Sequence, residues 1–101
     1  MNEITKTIID QMGGGNKIIA MTGGRILTDD NNNAIHIHYK MCRKSNRVIV
    51  KYDYASDLYD MEFFQYSKTK YTCKKISEYK GIYFDMLKSI FEDETGLYLS
   101  L

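Results

Sequence analysis

The stretch AIHIHYKM, Ala34 to Met41, alternates without a slip, with Ile35, Ile37, Tyr39 and Met41 facing one way and His36, His38 and Lys40 the other. A period of two is the mark of a β-strand that gives one face to a core and the other to water. The chain therefore contains a sheet, and the flanking residues say how far it extends. CRKSNR (Cys42–Arg47) reads as a basic connector. VIVKYDY (Val48–Tyr54) is a second strand, with Val48, Val50, Tyr52 and Tyr54 on one face. LYDMEFF (Leu58–Phe64) and KYTCKKI (Lys70–Ile76) continue the run with links short enough for an antiparallel meander.

On the N-terminal side, DDNNN (Asp29–Asn33) is a polar turn, because short Asp and Asn side chains bond nearby backbone and tolerate left-handed conformations. Before it, GGGNKIIAMTGG (Gly13–Gly24) holds five of the seven glycines. Its apolar centre KIIAMT (Lys17–Thr22), with two adjacent isoleucines, reads as a strand that Gly23 and Gly24 break, and RIL as a short return strand. Ile4, Ile8, Ile9 and Met12 recur at helical spacing, so NEITKTIIDQM is a short amphipathic helix with Asn2 as N-cap and Gly13 as its stop. At the other end, Tyr83, Leu87, Ile90 and Phe91 form a helical stripe in GIYFDMLKSIFEDET, and Gly96 ends it. Leu97 then folds back on Phe91, and the tail LYLSL is apolar because it packs, with order expected to the last residue. The expected fold class is α+β: an antiparallel sheet of four to six strands packed with an N-terminal and a C-terminal helix, as one domain over residues 1–101.

At 101 residues the chain has room for one core, which buries roughly 60–70 % of the surface exposed on unfolding. Apolar residues at 44 % and charged residues at 27 % are the proportions of a folded globular chain. No apolar run approaches the roughly 18 residues of a membrane span, and the N-terminus mixes charges into its apolar positions, unlike a secretory leader. A cytoplasmic location is expected, with Cys42 and Cys73 as free thiols.

A phosphate loop of the Walker kind needs a strand before its glycines, a helix after them, and Lys followed by Ser or Thr. Here a helix precedes Gly13, a strand is expected after it, and Ile18 follows Lys17, so the glycines read as stops between elements. His36 and His38, two apart on a strand, point the same way with Cβ atoms about 7 Å apart, so a metal can in principle bridge them. A third ligand would have to come from Asp53, Asp57 or Asp60, which no motif fixes, and no metal or cofactor is expected. Neither cysteine lies in a nucleophile turn or at a helix N-terminus, and Asp60 and Glu62 share a face as charges on a solvated strand do. The chain is expected not to be an enzyme.

The net charge of +1 hides an uneven distribution: residues 36–80 carry ten Lys or Arg against five Asp or Glu, and residues 81–101 carry one against four. The basic middle interleaves cations with tyrosines. Tyr39, Lys40, Arg43, Lys44, Arg47, Lys51, Tyr52, Tyr54, Lys68, Lys70, Tyr71 and Lys74 are the residues expected to bind a partner. Tyrosine suits interfaces because its ring packs while its hydroxyl stays wet, and strand aromatics beside basic groups are how sheet modules hold single-stranded nucleic acid.

Gly14, Gly15, Asn16, Lys17, Ala20, Met21, Thr22 and Gly23 near the start, with Thr95, Gly96, Leu97 and Tyr98 at the end, make the chain similar to a group of small proteins of bacteriophages and mobile elements. That group shares Gly-Gly-Asn-Lys, Ala-Met-Thr-Gly and Thr-Gly-Leu-Tyr stretches. The likeness covers the first quarter and the last fifth, while the middle strands match only in pattern. It implies a setting, an accessory protein of a phage or prophage in a low-GC bacterium, and it carries over no functional residue. Two expectations follow. In the first the chain binds a host macromolecule, such as a defence nuclease, and blocks it in the manner of an anti-CRISPR protein. In the second it binds nucleic acid through its basic, tyrosine-rich sheet face. Its oligomeric state is left open.

Overall fold

Five strands lie in chain order across one antiparallel sheet: β1 (Arg25–Asp29), β2 (Ala34–His38), β3 (Arg47–Asp53), β4 (Leu58–Ser67) and β5 (Thr72–Ile82). Among the described residues three α-helices accompany them, α1 (Glu3–Gln11), α2 (Gly15–Thr22) and α3 (Leu87–Thr95). The computed structural model describes residues 2–99. The fold is the expected α+β class, with a helix near each end of the chain.

The alternation in β2 sets the sheet's two faces. Ile37 pairs with Val48 and Val48 with Phe63, while Ile35 pairs with Val50 and Val50 with Met61, so all six stand on one face. Each is fully buried, and they meet Ile8 from α1, Met12 just beyond its end, Ile18 from α2, and Leu87 and Phe91 from α3 in one cluster. Burying a side chain of this size stabilises the fold by about 1.5–3 kcal/mol. Phe91 is central: Tyr39 meets it edge to face at 5.3 Å, and Phe63 lies 6.3 Å away.

The ends of α1 and α3 follow their sequence signals. The Asn2 side chain accepts the Thr5 N–H at 2.8 Å, which satisfies one of the donors a helix start leaves open. Gly96 closes α3 in the left-handed conformation, and its N–H bonds the Glu92 carbonyl. Beyond it Leu97 packs against the core and Leu99 is fully buried, its N–H donating to the Glu92 carboxylate at 2.8 Å, whereas Tyr98, also expected to pack, stands 67 % exposed between them. Ser100 and Leu101, also expected to be ordered, lie outside the described residues.

Three expectations need correction. KIIAMT is not a strand but most of α2. Its two buried residues, Ile18 and Thr22, are four apart and share a helix face, whereas a strand would have buried Ala20 between them, and Ala20 is exposed. A short β-branched run is ambiguous in period, and here the i, i+4 contact with the core decides it. The glycines before it join two helices; Gly14 at φ 96° and ψ 148° takes a conformation open in practice to glycine alone.

The second correction concerns the C-terminal helix, which starts at Leu87 rather than near Gly81. β5 runs on to Ile82, which pairs with Tyr59, and Asp60 accepts the Gly81 N–H at 3.1 Å, so these residues are held in the sheet. Tyr83, placed on the stripe by its spacing, is 62 % exposed. The third is Met41: the strand ends at His38, and Met41 sits at φ 71° in the connector, largely in water.

Candidate functional site

All three helices lie over the face that carries Ile35, Val48 and Phe63, which leaves the opposite face of the sheet open. Register places a row across it: Arg25 opposite His38, His38 opposite Arg47, Arg47 opposite Phe64, and Phe64 opposite Lys75. One residue further on, each strand's side chain points the other way, so this row belongs wholly to the open face. The Arg47 guanidinium lies over the Tyr66 ring, 4.1 Å from its centroid, as arginine favours when it stacks on an aromatic plane. Beside it a shallow depression of about 280 Å³ is formed by His36, Arg47, Ile49, Phe64 and Cys73.

The row lies at one end of the sheet. Because the strands are antiparallel, the connector between β2 and β3 and the turn between β4 and β5 project from that same end. They carry Lys40, Arg43, Lys68 and Lys70 at the same end of the sheet as Arg25 and Arg47. The other end carries Asp29, Asp53 and Asp60, with Lys51 among them. The basic middle of the sequence thus becomes a basic end of the molecule, sorted by topology rather than by chain position.

Two contacts fix this end. Asn46 stands in for a missing strand beside β4: its side chain accepts the Tyr66 N–H at 2.9 Å and donates to the Tyr66 carbonyl at 2.8 Å. Glu94 on α3 accepts from Ser77 and from Tyr79 at 2.8 Å, and Lys44 lies 3.3 Å away. Burial pushes the Glu94 carboxyl up, but the bonds from Ser77, Tyr79 and Lys44 outweigh it and hold it below the usual carboxylate range. Lys44 is thereby tied to the helix side.

The residues expected to bind a partner divide accordingly. Arg47 stands on the open face, and Lys40, Arg43, Lys68, Lys70, Tyr71 and Lys74 are exposed around the basic end. Tyr39 is a correction: it is only 3 % exposed, bonded to Ser45 and packed on Phe91, and so serves the core. Tyr52 and Tyr54 sit at the acidic end, away from the cations they were grouped with; Lys51 is there too. Arg25, His38 and Phe64 were missed as members of one row, since only pairing register brings them together. His36 and His38 share the open face as expected, and among the described residues no group of three or more His, Cys, Asp or Glu is gathered to hold a metal.

His38 reports on its neighbours. Partial burial, then the positive charges of Arg47 and Arg25, hold its imidazole below the ordinary value of 6.5. The unfolded chain therefore takes up this proton at a higher pH than the folded one does. Stability is expected to fall as pH drops through 6.5 toward the lower folded value and to be fully regained above 6.5. Thermal melts across that window check this: His38→Gln should flatten the profile, and an unchanged slope would assign the effect to other groups.

No family model, curated protein or solved structure matches the chain. No helix among the described residues is long and apolar enough to cross a membrane.

Proposed function

We propose that this chain is a non-catalytic binding protein that holds single-stranded nucleic acid across the open face of its sheet. The observation that carries this reading is the row Arg25–His38–Arg47–Phe64, with Arg47 stacked on Tyr66 and with no helix among the described residues covering it. Arginines supply phosphate contacts, Phe64 and Tyr66 offer rings on which bases stack, and the surrounding lysines add long-range attraction. The hairpin of β4 and β5 extends the surface, with Tyr71 at its tip almost fully exposed.

Fluorescence anisotropy with labelled single-stranded DNA and RNA tests it. If about three phosphates are neutralised, affinity should drop roughly twentyfold for an about fourfold rise in salt. Arg47→Ala should weaken binding and lower that salt slope by close to one phosphate's share, and Phe64→Ala should weaken it by about 1–3 kcal/mol with the slope kept. No binding to any oligonucleotide at low salt removes the reading.

A second reading is favoured by a different surface. Tyr83, Phe84 and Met86, within four residues around a 3₁₀ turn, are each about half exposed or more. Apolar side chains exposed together mark contact with another protein. In the phage setting that the sequence resemblance implies, that partner is a host protein such as a defence nuclease. Capture of a host protein that survives both nuclease treatment and high salt, and is lost in Phe84→Ser, supports this reading over the first.

A further inference from the structure

The acidic end of the sheet holds a cleft of its own, on the helix-covered side and remote from the basic row. It measures about 300 Å³ and opens between the first turn of α1 and the link from β3 to β4. Three tyrosines wall it. The Tyr52 ring lies 6.1 Å from Tyr54 at 84° and 5.3 Å from Tyr59 at 53°, so the rings stand at steep angles instead of stacking. All three rings line the same space and give it an aromatic wall.

Two carboxylates border the same space, Glu3 from the helix and Asp57 from the link. Asp57 accepts a hydrogen bond from the Tyr52 hydroxyl, which fixes both groups. Among the described residues the ion pairs join Lys44 to Glu94 and Lys75 to Glu62 and Glu78, so neither Glu3 nor Asp57 has a cationic partner. The bond to Asp57, then burial and the Asp57 charge, raise the Tyr52 hydroxyl to about 12, so the hydroxyl keeps its proton and the carboxylate stays the acceptor.

From this arrangement we infer that the cleft is a binding site for an organic cation, an alkylammonium or guanidinium head group seated against the tyrosine rings with its charge toward Glu3 and Asp57. Ring quadrupoles attract such a cation most strongly when it is partly desolvated, and the carboxylates add Coulombic attraction across a short gap. A volume near the lower limit for ligand pockets suits a head group better than a larger molecule. The site shares no residue with the proposed nucleic-acid face, and the two stand or fall separately.

The test is an NMR titration of the full chain with choline, with its uncharged carbon isostere 3,3-dimethylbutanol, and with blocked lysine and arginine. Saturable amide shifts at Tyr54 and Tyr59 are expected with the cations, at a Kd of about 1 mM, and not with the isostere. Tyr54→Ala should weaken binding about threefold to thirtyfold and Glu3→Gln about threefold, whereas Tyr54→Phe should retain it because the ring carries the interaction. Tyr54 and Glu3 are exposed, so these variants should melt like the parent. Tighter binding of choline would mark a free small cation as the ligand, and tighter binding of the blocked amino acids would mark a partner's side chain. The site is overturned by the absence of saturable shifts about fiftyfold above the expected Kd, by equal binding of the isostere, or by unaltered binding in Tyr54→Ala.

Discussion

Phe91→Ala is expected to destabilise the fold by about 3–5 kcal/mol, a large part of the roughly 5–15 kcal/mol that holds a domain of this size together. Phe91 is fully buried and is the ring through which α3 meets both Tyr39 at the end of β2 and Phe63 in the centre of β4. Truncation removes its transfer energy and leaves a space that the sheet, held by its ladder, cannot close. The loss should spread to what α3 anchors, the Glu94 bonds to Ser77 and Tyr79 and the buried Leu99. Urea melts followed by circular dichroism measure it, with the denaturant slope expected to stay the same. Tyr98→Ala, at a neighbouring but exposed position, should change stability by less than about 0.5 kcal/mol. A Phe91→Ala loss below about 1 kcal/mol would mean that α3 does not close the core.

Those contacts were legible in the sequence because each rests on periodicity. Ile35 and Ile37 announced a face, Leu87 and Phe91 a helical stripe, and Asn2 and Gly96 the ends of helices, since all of these signals are local. KIIAMT was not legible for the complementary reason. Six residues with two adjacent isoleucines satisfy either period, and only the packing of Ile18 and Thr22 against the core distinguishes them. Tyr83 fell to the same limit from the opposite direction: its spacing fits the stripe of α3, but the pairing of Ile82 with Tyr59 keeps the chain extended just before it.

The candidate site was legible in composition and not in arrangement. Lys and Arg crowd residues 36–80, yet that crowding does not say which cations share a surface. Arg25 and Arg47 are 22 positions apart and meet only through His38, which pairs with both. Tyr39 and Tyr66 are both tyrosines on or just beyond strands, but their parity relative to Ile37 and Phe64 sends one into the core and the other beneath Arg47. A shift of one residue in a strand's register would exchange these roles. The open face therefore depends on whatever fixes the pairing of β1 with β2.

Gly24 lies where that pairing begins, and Gly24→Ala is expected to cost about 3 kcal/mol or more, because overpacking against rigid groups exceeds the usual range for side chains that can yield. A Cβ at this position would lie 1.6 Å from the His38 carbonyl oxygen, 2.6 Å from its carbonyl carbon and 2.8 Å from the Tyr39 Cα. All three are backbone atoms, so no rotamer change relieves the contact. β1 would have to leave β2 at the pair of Arg25 with His38, the first pair of the ladder and the first two members of the basic row. Gly15→Ala supplies the contrast in sign. Its φ is not positive, the nearest atoms to a new Cβ are 3.7 and 3.9 Å away, and alanine is the better helix former, so a gain of up to about 1 kcal/mol is expected. Amide NMR spectra should show Gly24→Ala disturbing β1 and β2 while β4 and β5 keep their pattern. The nucleic-acid binding proposed for the open face should weaken along with them, because Arg25 moves off that face. If Gly24→Ala instead melts with the parent protein and leaves the Arg25 and His38 amides in place, the close approach of β1 to β2 does not set the register, and the basic row needs another cause.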